Sequence, residues 1–234
     1  LFRSVANSGS YLPGRVNVYK DADGGAPGNP ASLELLASDE YGCYNIADVE
    51  FNSVVFDGGL DVGSTMWSSY TPLAYAAAGG HVDAVNLLLD SGAEIDQQGR
   101  FQKTALNHAI GGGSQDVCEL LIQRGARLDI LNQNGANLFH EAAFWGQPAM
   151  IPFLIKNKID IHHASKAGDS PLMYAINRAR WIEDAEKQKI FLQCAQALVD
   201  AGADPDQKNN KGDTPRSYAE ASEFAPVKIG RAHV

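Results

Sequence analysis

The sequence predicts an all-α solenoid of stacked helical repeats, and four observations point to it. Segments beginning Thr71-Pro72-Leu73, Thr104-Ala105-Leu106, Asn137-Leu138-Phe139 and Ser170-Pro171-Leu172 recur at one constant interval of thirty-three positions. Small residues follow each start (Ala76-Ala77, Ala109, Ala142-Ala143, Ala175). Then come a turn and an apolar run in constant register: Val85-Asn86-Leu87-Leu88-Leu89, Cys118-Glu119-Leu120-Leu121-Ile122 and Ile151-Pro152-Phe153-Leu154-Ile155. Finally, Gly92-Ala93, Gly125-Ala126 and Gly202-Ala203 close helical stretches, where a left-handed C-cap favours glycine.

Each element has a local cause. Thr or Ser at the segment start can cap the first helix, Pro is tolerated in its first turn, and the alanines let neighbouring helices approach closely. Thr71-Pro72-Leu73, Ala76-Ala77 and Gly80-His81, together with Asp90-Ser91-Gly92-Ala93-Glu94-Ile95-Asp96, resemble the ankyrin repeat. The resemblance runs over roughly residues 66 to 222, about two thirds of the chain. It implies an ankyrin-repeat solenoid of four to six helix-turn-helix units, each followed by a protruding β-turn finger.

The fourth clear interval is extended. Thr214-Pro215 lies forty-four positions beyond Ser170, and Leu198 lies equally far beyond Leu154, whereas Leu88, Leu121 and Leu154 keep the regular spacing. Eleven extra positions therefore fall between Ser170 and Leu198. The inserted stretch, Asn177 through Lys189, is rich in helix formers of both charges and is expected to lengthen both helices of that repeat. One period earlier, Val54 to Val62 align with Leu87 to Ile95, so residues 38–65 are expected to form a degenerate N-terminal repeat. Residues 5–37 read as a linker or remnant, rich in Gly and Pro between Gly24 and Pro30, with a strand expected over Arg15 to Tyr19. Residues 223–234 read as a tail. Residues 1–4 and 229–234 look like translated sequencing adapter, so a gene fragment is expected.

Composition narrows the function classes. Of the 234 residues, 44% are hydrophobic, enough for a sizeable core. The formal net charge of -9 disfavours a nucleic-acid partner, because the surface field repels phosphates. No apolar run approaches the length of a membrane span. Cys43, Cys118 and Cys194 lie far apart and form no CxxC or Cys/His cluster, which argues against a zinc site or a disulfide framework and for a reducing, cytoplasmic setting.

In the ankyrin family, contacts come from the finger tips and from the two residues before the first-helix turn. Carried over, these positions give Trp67, Tyr70, Arg100, Phe101, Lys103, Phe144, Trp145, Asn177 and Arg178 as partner-binding candidates. The aromatics weigh most, since an uncovered Trp, Tyr or Phe is costly and such residues dominate interface energies. Ala78, Gly79, Gly111 and Gly112 are expected to leave a hollow beside them. His140 and His81 fall at family positions where imidazoles hydrogen-bond fingers or turns. His162 and His163 are adjacent, which on extended backbone points them to opposite faces and away from shared metal ligation. Asp21-Ala22-Asp23-Gly24-Gly25 lacks the alternating ligands of a calcium loop. No nucleophile elbow, P-loop, HExxH, GxGxxG or kinase signature occurs, so neither catalytic residues nor cofactor is expected.

The function these features predict is a non-catalytic scaffold, monomeric, that binds another protein through its concave helix face and finger tips. The alternative is the regulatory or substrate-docking arm of a larger enzyme whose catalytic domain lies outside this sequence.

Overall fold

The computed structural model of the chain describes residues 70–221 and the backbone of 17–21 and 33–38. Among the described residues, four helix pairs and a ninth helix follow one another: α1 Pro72–Ala78 with α2 Val82–Asp90, α3 Ala105–Gly112 with α4 Gln115–Gln123, α5 Leu138–Trp145 with α6 Met150–Lys156, α7 Pro171–Arg180 with α8 Ala185–Asp200, and α9 Pro215–Glu220. The first helices α1, α3, α5, α7 and α9 pack side by side as one layer, and each of α2, α4, α6 and α8 packs on its own partner. This is the helix-turn-helix solenoid that the period predicts.

Side-chain caps start the first helices where the sequence placed them. Thr71 Oγ1 accepts from the Ala74 amide at 3.1 Å, and Thr104, Asn137, Ser170 and Thr214 cap α3, α5, α7 and α9 in the same way. The alanines sit at the seams between repeats: Ala77, Ala109, Ala142, Ala143 and Ala175 are fully buried. Around them Leu73, Leu106, Leu121, Phe139, Leu154, Leu172 and Leu198 fill one continuous core, to which every repeat contributes a share that it could not bury alone.

The insertion lengthens the fourth pair, with α7 of 10 residues and α8 of 16 against seven to nine in α1 to α6. Asp184 caps α8 by accepting from the Glu186 and Lys187 amides, and Gln188 Nε2 donates to the Ala179 carbonyl near the end of α7. Phe191 is buried, and the chain at Ile190 and Phe191 lies close against Gly146 at the end of α5.

Three second helices end on a glycine with φ of +89°, +96° and +97° (Gly92, Gly125, Gly202). At α6 the equivalent residue is Lys158, at φ 59°, and the Ile159 amide still reaches the Leu154 carbonyl at 3.2 Å. A Cβ in the left-handed region crowds the following carbonyl. Lys158→Gly is therefore expected to stabilise the chain by about 1 kcal/mol, seen as a higher urea midpoint with an unchanged slope.

Successive fingers are tied by backbone hydrogen bonds. The Gln133 amide donates to Phe101 (2.8 Å), Lys166 to Asn134 (2.9 Å) and Asn210 to Ala167 (3.1 Å).

Ahead of the stack, within the segment read as a linker, two strands pair antiparallel: β1 Asn17–Asp21 and β2 Leu33–Ser38. The first begins at Asn17 where the strand was expected from Arg15, and the second was not expected. The remaining expectations ahead of Tyr70, including the degenerate repeat beyond Ser38 and Trp67, lie outside the described residues, as do both terminal segments and the tail.

Candidate functional site

The candidate site follows from the period. Tyr75, His108, Glu141 and Tyr174 occupy one position of successive repeats, and Ala78, Gly111, Phe144 and Asn177 occupy the position three residues later. On a helix, residues three apart share a face. Both columns therefore look out from the first-helix layer toward the fingers. All but Asn177 line a groove of about 750 Å³, closed on its finger side by Arg100, Phe101, Lys103 and Asn132 to Asn134.

Of the residues expected to bind a partner, the groove brings together Tyr70, Arg100, Phe101, Lys103, Phe144 and Trp145. Tyr70 stacks against Tyr75 and His108, with ring centroids 5.3 and 4.9 Å away. Phe101, at the finger tip, is 40% exposed and has φ 60°, and Gln102 follows at φ 55°. Two consecutive non-glycine residues in the left-handed region store strain, a condition that concentrates at functional positions. Trp145 is 51% exposed and stands edge-on to Phe144, with centroids 5.3 Å apart.

The expected hollow is partly occupied from within. A Cβ on Gly111 would meet Trp145 Cδ1 at 2.7 Å, so the indole rests against the bare Gly111 backbone. A Cβ on Gly112 would strike the Ala78 carbonyl oxygen, so that glycine serves the close approach of α3 to α1. Asn177 and Arg178 do not line the groove. Asn177 Oδ1 accepts from Trp181 Nε1 at 3.2 Å, whereas Arg178 lies with its guanidinium carbon 4.5 Å from the Phe144 centroid and so borders the groove.

Glu141, His108, Tyr75 and Tyr174 were missed, although the repeat column that holds them was available. Trp181, 76% exposed at the end of α7, was missed as well. Glu141 is buried and fully engaged. Lys103 Nζ donates to its Oε2 at 2.6 Å and Asn132 Nδ2 to its Oε1 at 2.8 Å. The same Asn132 shapes its own finger, its Oδ1 accepting from the Asn134 and Ala136 amides. Lys103 Nζ is also 5.8 Å from the centroids of both Phe144 and Trp145, within cation–π reach.

Two buried imidazoles are held neutral by their surroundings. Burial, aided by the positive charge of Lys103, holds His108 at about 4, and its Nε2 is buried without a hydrogen-bond partner. Burial likewise brings His140 to about 4 despite the hydrogen bond its Nε2 makes to the Asp169 carbonyl at 3.0 Å, which joins α5 to the next finger. His163 makes an equivalent contact, Nε2 to the Gly135 carbonyl at 2.8 Å. Among the described residues no group of three or more His, Cys, Asp or Glu is placed to hold a metal ion, and no helix is long and apolar enough to cross a membrane. The chemistry on offer is recognition: aromatic faces, guanidinium groups and a carboxylate already spoken for.

Comparison with known families agrees with this architecture. A family model for ankyrin repeats in three copies matches residues 40–132 and 75–165, and a model for the single ankyrin repeat matches residues 167–210. With well over half of its length matched and each helix pair and finger in register, the chain belongs to the ankyrin repeat family, whose members generally serve as protein-interaction modules.

Proposed function

We propose that this chain is an interaction scaffold without turnover that holds a partner protein in the groove between its first helices and its fingers. One observation carries the reading. Trp145 keeps half of its surface open inside a groove lined by Tyr70, Tyr75, Phe101 and Phe144. An indole left uncovered in a concave, aromatic setting is the kind of anchor that dominates binding energy when a partner seals it from water. Phe144 and Phe101 extend the same surface, and Tyr70, Arg100 and Lys103 supply its polar edge.

The reading extends to a monomer acting in the cytoplasm. Cys118 and Cys194, buried free thiols that burial pushes up to about 12, fit a reducing compartment, and the net charge favours a protein over a nucleic acid.

Affinity purification followed by titration of the captured partner tests the proposal. Trp145→Ala is expected to weaken that partner by about 2 kcal/mol, roughly thirtyfold, while the thermal midpoint stays close to that of the parent. A partner that binds the Trp145→Ala chain as tightly as the parent chain would remove the groove from the mechanism.

A further inference from the structure

We infer that the groove takes a partner segment in which acidic side chains flank an aromatic or bulky aliphatic anchor. This inference deepens the docking reading above and rests on it. Charge is the first pointer. The chain as a whole carries -9, yet the charged groups lining the groove are Arg100, Lys103 and Glu141, with Arg178 at its border. Lys103 and Glu141 neutralise each other at 2.6 Å. Arg100 and Arg178 remain, and among the described residues neither has a carboxylate within ion-pair distance. A locally positive groove in an acidic molecule selects a partner by contrast, because most of the surface repels what this patch attracts.

Geometry adds a second, independent pointer. Arg178 stacks on Phe144 at 4.5 Å and Arg100 on Phe101 at 4.6 Å. Stacking uses the face of a guanidinium and leaves its edge free to fork onto a carboxylate. Arg178 Nε is moreover buried and has no acceptor, a state costly to leave unmet and relieved when a carboxylate arrives. The anchor is specified by the aromatic lining of the same groove, namely Tyr70, Tyr75, Phe101 and the open face of Trp145. His108 Nε2, also buried and unpartnered, can meet the hydroxyl or indole N–H of an aromatic anchor. A basic segment fits poorly, since the one carboxylate lining the groove already accepts from Lys103 and Asn132.

Selection of random dodecapeptides displayed on phage against the whole chain tests this. The enriched pool is expected to carry Asp or Glu on both sides of a Trp, Tyr, Phe or Leu. A synthetic peptide from the pool is expected to bind about tenfold more weakly once its acids are replaced by Asn and Gln. Arg100→Gln combined with Arg178→Gln should cost the acidic peptide a similar factor and leave its amide counterpart unaffected. Arg100 is exposed, so Arg100→Gln alone keeps the comparison readable if the double variant fails to fold. A pool without acidic bias, a basic pool, an empty selection, or an unchanged affinity after the acid-to-amide exchange overturns the inference. Neutral peptides that still need Trp145 would refute the acidic flanks while sparing the docking reading, whereas enriched peptides indifferent to Trp145→Ala would strike at the docking reading itself.

Discussion

Lys103→Met is expected to lower the unfolding free energy by about 3 kcal/mol, measured by urea denaturation near neutral pH. The side chain of Lys103 is 13% exposed and that of Glu141 3%, so the pair belongs to the interior of the groove wall. Removing the ammonium leaves the carboxylate with Asn132 as its one remaining side-chain donor, and a buried charge short of its counter-ion is among the costliest single defects a fold can hold. The sign of the second substitution separates this cause from lost packing. Adding Glu141→Gln to Lys103→Met removes the stranded charge and keeps an oxygen for Asn132 Nδ2, so the double variant is expected to be more stable than Lys103→Met alone. If the double variant is no better, the loss came from the lysine stem and not from the ion pair. The pair also bridges consecutive repeats, from the finger before α3 to the first turn of α5. Its removal is therefore expected to loosen the groove on the side where Lys103 lies 5.8 Å from Phe144 and Trp145.

The sequence made the stack legible because each repeat announces itself locally. A capping residue and small alanines recur in each repeat, with a proline or a closing glycine in several, and the constant interval between them needs no knowledge of distant contacts. The groove was half legible for the same reason. Phe144, Trp145, Phe101 and Lys103 fall at positions the repeat marks as exposed. The column Tyr75, His108, Glu141 and Tyr174 escaped notice because its four residue types share no chemistry, and only their common interval unites them. Glu141 was hidden further, since its partner lies 38 residues earlier, one period plus five, a spacing that no motif records. Lys158 and Gln102 show the reverse situation: the sequence displays a missing glycine, and the structure shows that the backbone adopts the glycine conformation all the same. The strand Leu33–Ser38 was opaque because its apolar residues do not alternate strictly, so that nothing in the pattern distinguishes it from a linker.

Acidification is expected to weaken the stack steeply between about pH 6.5 and about 4, before most carboxylates titrate. Burial lowers both His108 and His140 from 6.5 to about 4, so the fold disfavours their charged forms. An unfolded chain takes up protons at these imidazoles below about 6.5, while the folded chain refuses them until about 4. Their contribution is thus fully present above the upper value and lost as the pH falls to the lower one. Each imidazole then accounts for roughly 3 kcal/mol across the window, and the slope of stability against pH approaches two protons taken up on unfolding. The neighbouring charges deepen the burial effect on each ring, Lys103 on His108 and His163 on His140, while the hydrogen bond to the Asp169 carbonyl partly offsets it at His140. Denaturation midpoints measured across this range, with His140→Gln as comparison, test the account. Glutamine can still donate to the Asp169 carbonyl but carries no titrating ring, so the variant should lose about half of the slope while keeping the inter-repeat hydrogen bond. A midpoint that stays flat until the carboxylates protonate would show that both rings accept protons in place, and the neutral groove floor assigned to His108 would go with it.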